Sequence, residues 1–230
     1  MPIPEILHQT AVSTNIPPKW QRYQQILRDL HPSWNYNLWT DVDNDAFVAA
    51  HYPNLLEAFR GMPYGIMRAD VIRYLVLHSI GGVYVDMDYE FFRAFDLLGA
   101  ECVMPLETEP REPRRLGNAI FASAPQHHFL ARVIADLELR PPHATSKRDV
   151  LAATGPLFLT RIYDDLPEDA RLDIQLPPKR LFSPTTPRGP REYRVLVRRG
   201  EAYGVHHCDG TWREFSSLQR LKQRIARLVY

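Results

Sequence analysis

Apolar and polar positions divide this chain into short strands alternating with amphipathic helices. Ile6-Leu7 begins a strand over 5–10 that ends in the polar run His8-Gln9-Thr10, and Pro17-Pro18 opens a helix reaching to about 31, with Trp20, Tyr23, Ile26, Leu27 and Leu30 at helical spacing. A second strand is predicted over 35–40, followed by a helical stretch over 43–60 broken at Pro53. The clearest helix covers 64–79, where Ile66, Ala69, Ile72, Leu75, Val76 and Ile80 form an apolar stripe and Gly81-Gly82 ends it. Val83-Tyr84-Val85 then reads as a buried strand, with further strands at 102–104, 119–122 and 202–206. Helices are predicted over 126–139, 146–153, 156–165 and 216–229, with loops at 105–116 and around the prolines of 183–192. Strands alternating with helices from the N-terminus onward, with no linker between them, predict a single α/β domain with a mostly parallel sheet flanked by helices. That domain covers 1–215, with a basic amphipathic helix at 216–230.

The strand at Val83 delivers the acids Asp86-Met87-Asp88. Side-chain alternation on a continuing strand would put both carboxylates on one side, and a divalent cation relieves their repulsion; oxygen ligands favour Mn²⁺ or Mg²⁺. Asp70 and Arg73 lie three apart on the preceding helix and so share one face. Two competing readings of acid-rich segments lose ground on single residues. A haloacid-dehalogenase-type phosphatase wants Thr or Val where Glu90 stands. A calcium loop at Asp41-Val42-Asp43-Asn44-Asp45 lacks its glycine at Ala46 and its glutamate at Tyr52.

The set Arg68-Ala69-Asp70-Val71-Ile72-Arg73-Tyr74, Gly81-Gly82, Tyr84, Asp86 and Asp88 resembles the sugar-binding region of glycosyltransferase family 32 and, at a distance, the glucosylating domain of large clostridial toxins. Ile6-Leu7-His8-Gln9-Thr10, Leu38-Trp39-Thr40-Asp41 and His206-His207 with Thr211-Trp212 are similar to the family's opening, second and closing motifs. The resemblance implies a GT-A fold, a Rossmann-like single domain, and a retaining hexosyltransferase drawing on a UDP- or GDP-sugar. A glycan or lipid-linked acceptor would receive the sugar, as in capsule or lipopolysaccharide synthesis. It implies metal ligation by Asp86 and Asp88 completed by His206 or His207, between which relatives leave the choice open. Asp70, Arg73, Asp86 and Asp88 become the catalytic set, with Arg73 serving the leaving diphosphate. His8, Gln9, Asp70, Arg73, Tyr84, Asp86, Asn118, Thr211 and Trp212 become the nucleotide-sugar contacts, and Thr154-Gly155-Pro156 a loop beside the acceptor. The His127-His128 pair reads as solvated helix residues rather than ligands. A non-catalytic nucleotide-sugar or glycan module and a metal-dependent phosphohydrolase are the alternatives.

Composition sharpens this only in part. The 230 residues suit one compact domain, and the two cysteines, Cys102 and Cys208, read as free thiols of an intracellular protein. No apolar run of membrane-spanning length and no basic-then-apolar leader is visible, which leads to an expected cytoplasmic location. The overall charge of +1 hides an asymmetry: residues 179–230 carry +8 and the remainder −7. The basic quarter has no nucleic-acid-binding signature. The acid-free segment 216–229, with Arg220, Lys222, Arg224 and Arg227 beside Leu221, Ile225 and Leu228, instead predicts peripheral contact with an anionic membrane.

Overall fold

The computed structural model describes residues 1–97, 99–146, 149–182 and 199–209. Thr211, Trp212, the loop at 183–192 and the helix at 216–229 lie outside the described residues. Strand β1 (Ile6–Thr10) leads to α1 (Pro18–Leu30), β2 (Asn35–Trp39) and α2 (Asp41–His51). A 3-10 turn at Pro53–Leu55 and α3 (Leu56–Arg60) follow, confirming the break at Pro53. Then come α4 (Gly65–Ile80), β3 (Gly82–Val85), β4 (Tyr89–Phe91), β5 (Cys102–Val103), β6 (Ile120–Ser123) and α5 (His128–Leu139). The described chain closes with α6 (Val150–Ala153), α7 (Pro156–Asp164), β7 (Ile174–Gln175), α8 (Lys179–Phe182) and β8 (Gly204–His206).

Six strands form one sheet in the order β2-β1-β3-β6-β5-β7. Its pairings are parallel at β2-β1, β1-β3 and β5-β7 and antiparallel on both sides of β6, so β6 alone of the six runs against the rest. A second small sheet pairs β4 with β8, antiparallel, and sets His206 opposite Tyr89. Strand alternation sorts the central residues to two faces. Tyr84 and Phe121 join a core with Val71, Leu75, Phe129 and Phe158, while Val83, Val85, Ile120 and Ala122 join one with Leu27, Tyr89 and Phe91.

Helix α4 is buried along almost its whole middle, including the charged Asp70 and Arg73. It can be so only because those charges find partners inside, as shown below. It ends where Gly81 takes φ +74°, and Gly82 takes φ +105°; a Cβ on Gly82 would stand 2.5 Å from the Ile6 carbonyl oxygen. These glycines let the chain reverse from the buried helix directly into the central strand.

Several expectations change. Of the helix expected at 146–153, the described residues show α6, while Thr145 and Ser146 are held outside it because the Asp149 carboxylate accepts hydrogen bonds from Thr145 N, Thr145 Oγ1 and Ser146 N. The short strands β4 and β7 and the helix α8 were not apparent from periodicity; two to four residues carry too little pattern. His127 is not a solvated helix residue: it is buried and caps α5, its Nδ1 accepting from Phe129 N, whereas His128 is exposed on one edge. Cys102 and Cys208 are both free, as expected. Among the described residues, no helix is long and apolar enough to cross a membrane.

Gly82→Ala is expected to lower the unfolding free energy by about 1–3 kcal/mol, since it forces a Cβ against β1 in a backbone region unfavourable to alanine. Urea denaturation checks this; an unchanged midpoint would mean the β1–β3 contact relaxes freely.

Candidate active site

The two acids do not sit side by side on a strand. Strand β3 ends at Val85, and residues 86–88 turn into β4, with Asp86 N donating to Ala119 O (2.8 Å) and Tyr89 N to Asp86 O (3.1 Å). The carboxylates therefore converge through a turn, which corrects the expectation from strand alternation. Strand β8 then delivers its histidine. His206 Nε2 lies 3.0 Å from Asp88 Oδ1 and 3.7 Å from Asp86 Oδ2, while Asp209 N donates to Asp88 Oδ2 at 2.7 Å. Asp86, Asp88 and His206 can each offer a ligand atom within 4.8 Å of the others, and all three remain partly open to solvent. Two carboxylates and an imidazole at that spacing fit a divalent cation such as Mn²⁺ or Mg²⁺.

His207 is the member of the pair that does not join this cluster. Its Nε2 meets Glu90 Oε2 at 2.9 Å and its ring stacks on Tyr23, with centroids 5.1 Å apart. Of the two neighbours, only His206, the last residue of β8, reaches the acids Asp86 and Asp88.

Behind the turn lies a buried charge cluster built on Arg73. Its Nη2 is 3.0 Å from Asp70 Oδ1 and its Nη1 3.2 Å from Asp86 Oδ1. Nε donates to Ala69 O at 3.0 Å, and Nη1 also donates to Asn118 O. The guanidinium lies over the Tyr84 ring, 4.4 Å from its centroid, and Tyr84 Oη donates to Asp86 Oδ1 at 3.0 Å. With 1% exposure Arg73 is a clamp between two acids, not an open fork facing a diphosphate, which corrects the role expected of it. Asp70 also accepts from Asn118 Nδ2 (2.9 Å) and Thr154 Oγ1 (3.0 Å). Three of its roughly four acceptor positions are thus filled, leaving room for one more donor on Oδ2. Tyr74 Oη braces the loop by donating to Thr154 O at 2.6 Å.

His8 and Gln9 are sequence candidates that the structure reassigns. His8 is fully buried; its Nε2 faces Gly81 O at 2.9 Å and its Nδ1 accepts from Trp39 Nε1 at 3.1 Å, so neither nitrogen is available to a nucleotide. Burial pushes its pKa down to about 4, and it stays neutral. Gln9 donates from Nε2 to Asp86 O (3.4 Å) and accepts at Oε1 from Tyr36 Oη (3.0 Å), supporting the turn from below. The sequence reading missed Asp209, whose carboxylate accepts from Trp20 Nε1 at 3.0 Å and Lys19 Nζ at 2.8 Å and so ties the closing segment to α1. It also missed Glu107, placed in a plain loop. Burial raises its carboxyl pKa against the pull of Arg115, and it feels the charges of His206 and Asp86. Neither residue has a sequence signal beyond being polar. Asp41, Asn44, Asp45, Phe59, Arg60 and Arg68 line an open hollow of about 430 Å³ that shares no residue with the Asp86–Asp88–His206 cluster.

The acids are held in different states. Burial lifts Asp70 to about 6 despite Arg73, and burial likewise raises Asp86 against the pull of Arg73 and His206. Burial also disfavours the Asp88 carboxylate, but the hydrogen bond and charge of His206 and the Asp209 N–H outweigh it and hold Asp88 at about 2. Burial disfavours the His206 imidazolium too, yet its contacts with Asp88 and Cys208 raise its pKa well above the ordinary value.

Residues 17–104 match the family described as the glycosyltransferase sugar-binding region containing DXD motif. The chain is 36% identical over 166 residues to the mannosyl phosphorylinositol ceramide synthase CSH1 of Saccharomyces cerevisiae, covering 70% of this chain and 42% of that protein. It is 37% identical over 166 residues to inositol phosphoceramide mannosyltransferase 3 of Schizosaccharomyces pombe, covering 70% and 45% respectively. The chain thus spans less than half the length of either relative. Among solved structures, the ligand-free glycosyltransferase domain of the YGT toxin superposes with a TM-score of 0.50 at 10% identity, over 76% of this chain and 79% of that one. The fold is accordingly the GT-A type.

The Asp88–His206 pair makes stability depend on pH from both sides. Asp88 is depressed in the folded state, so its contribution is present above about pH 4 and lost as pH falls toward 2. His206 is raised, so its contribution is complete below about 6.5 and lost as pH rises through its folded value. In EDTA, a double-mutant cycle of Asp88→Asn and His206→Gln read by urea denaturation is expected to show a coupling of about 1–3 kcal/mol near pH 5.5. It should be clearly smaller near pH 2.5 and at alkaline pH; a flat profile would contradict the pairing.

Proposed function

We propose that this chain, which carries the glycosyltransferase sugar-binding region with its DXD motif, is a metal-dependent hexosyltransferase that moves mannose from a nucleotide-linked donor to a lipid-linked or glycan acceptor. The observation that carries this reading is the convergence of Asp86, Asp88 and His206 directly in front of the Asp70–Arg73 clamp. Mannose and a phosphosphingolipid acceptor are favoured over the capsule or lipopolysaccharide products expected from sequence. The support is the names of the relatives, which include an initiation-specific alpha-1,6-mannosyltransferase of Candida albicans, 31% identical over 117 residues.

Asp86, Asp88 and His206 would hold Mn²⁺ or Mg²⁺, which when bound supplies positive charge to a departing nucleoside diphosphate. The chain's own residues do the rest. Arg73 fixes the separation of Asp70 and Asp86 and favours their carboxylate forms against the upward pull of burial. Asp70 is withdrawn from solvent like Arg73 and acts by holding it in place, with Asn118 and Thr154 fixing the Asp70 carboxylate. Gln9 and Tyr84 set the height of the Asp86 turn. Retention of the donor's anomeric configuration belongs to the same proposal and rests on resemblance to family 32.

Release of GDP from GDP-mannose, compared with UDP release from UDP-sugars and read with and without Mn²⁺, tests the reading. Metal-dependent release from one donor is expected, and no release from any would overturn it. Asp88→Asn should reduce turnover by roughly 10²-fold or more while the protein stays folded. Arg73→Lys keeps the charge but cannot hold two carboxylates and a carbonyl at once, so turnover should fall at least tenfold. Wild-type kinetics in the lysine variant would remove Arg73 from the machinery. NMR of the product from an α-linked donor should show an α-glycoside; a β product would exclude retention.

A further inference from the structure

We propose that His127, His128 and Asp173 form a second metal site, suited to zinc, on the edge of the sheet opposite the Asp86–Asp88–His206 cluster. The strand register separates the two. Ile120 at the start of β6 pairs with Val85 beside the catalytic turn, while Ser123 at its end pairs with Gly82 and Cys102, and Cys102 pairs with Ile174. His127 follows the end of β6 by four residues and Asp173 immediately precedes β7, so both lie at the far end of those strands.

The chemistry of the three side chains suits a borderline divalent ion. Two imidazoles and one carboxylate form a familiar donor set for zinc, whose site then keeps a fourth position for water. All three ligand atoms lie within 4.8 Å of one another. Asp173 Oδ2 is 3.3 Å from His127 Nε2 and 3.0 Å from His128 Nε2. Tetrahedral bonds of zinc length place ligand atoms about 3.3 Å apart, so the spacing is close to what an ion needs without rebuilding the backbone. The open side is supplied by His128 and Asp173, whose side chains are 43% and 37% exposed.

A second observation points to a ligand. The His127 side chain is 2% exposed, and its Nε2 is a buried nitrogen without a hydrogen-bond partner, Asp173 being near but out of line. A buried polar nitrogen left unmatched is costly, and ligation would satisfy it. Burial also lowers the His127 pKa, which keeps the imidazole neutral as ligation requires. There is a cost on the other side of the ring. Nδ1 now accepts from Phe129 N at 3.2 Å, and metal on Nε2 would leave the ring proton on Nδ1, facing that N–H. Loading therefore gives up the α5 cap in exchange for a metal bond. The bound ion would staple the start of α5 to the lead-in of β7, the two-residue strand at the edge of the sheet.

Tag-free protein titrated with Co²⁺ and then with Zn²⁺ tests the site. Wild type should develop the strong visible bands of four-coordinate Co²⁺, lose them to Zn²⁺, and melt at higher temperature with Zn²⁺ present. His128→Gln and Asp173→Asn alter exposed side chains, so their metal-free melting should match wild type. Both should bind one Zn²⁺ at least ~10-fold more weakly than wild type, and should lose the share of the bands and of the Zn²⁺-dependent rise in melting temperature that wild type shows beyond what the Asp86–Asp88–His206 cluster supplies. Absence of the bands in wild type, or Zn²⁺ binding and stabilisation in both variants equal to wild type, would overturn the proposal. Because the readouts are spectroscopic and thermal, the result stands apart from whether the chain transfers sugar.

Discussion

One guanidinium, almost wholly withdrawn from water, joins the two halves of the candidate site. Arg73 comes from the central helix α4 and meets Asp70 one turn earlier on the same helix and Asp86 on the turn after β3. Taking such a charge out of water costs several kcal/mol, offset only when geometry is good and every N–H is used. Here Nε, Nη1 and Nη2 all face oxygens and the plane rests on Tyr84. The arrangement tolerates little change: losing either acid would weaken the pairing of a buried cation, and losing the cation would set the buried Asp70 against the part-buried Asp86. Asp70, Asp86 and Asp88 outnumber Arg73 by two negative charges when His206 is neutral, which leaves the open face of the cluster suited to a doubly charged cation.

The fold supplies this cluster from distant parts of the chain. Gly81 and Gly82 bring the end of α4 straight into β3, so a helix bearing Asp70 and Arg73 lies against the strand that ends at Asp86. Reversal of β6 brings Asn118 to the same point, and the α6–α7 junction adds Thr154. The small β4-β8 sheet returns residues from more than a hundred positions later, placing His206 on Asp88. Asp209 then fastens that return to Trp20 and Lys19 of α1.

Much of this was legible in the sequence, and the reasons for the remainder are physical. The helix α4, the glycine pair and the acids announce themselves through local spacing, so the central unit and the residues Asp70, Arg73, Asp86, Asp88 and Asn118 could be named in advance. What local spacing cannot convey is depth. His8 matches a family motif, yet lies fully buried between Trp39 and Gly81. Arg73 was placed correctly but assigned to solvent-facing chemistry, because its partners Asn118 and Asp86 are distant in sequence. The choice between His206 and His207 depended on the pairing of β4 with β8, and β4 is three residues long with no periodicity to reveal it. His127 and His128 differ in the same way, one buried and one exposed, although they are adjacent.

On the function proposed above, Asp86, Asp88 and His206 together would seat a divalent cation next to a bound nucleoside diphosphate. Mn²⁺ binding followed by electron paramagnetic resonance, in the presence and absence of GDP, tests it most directly. The account predicts a class of Mn²⁺ site whose affinity rises when GDP is added, and which vanishes in Asp88→Asn and weakens in His206→Gln while His207→Gln leaves it intact. Mn²⁺ binding that ignores GDP, or that persists unchanged in Asp88→Asn, would contradict it.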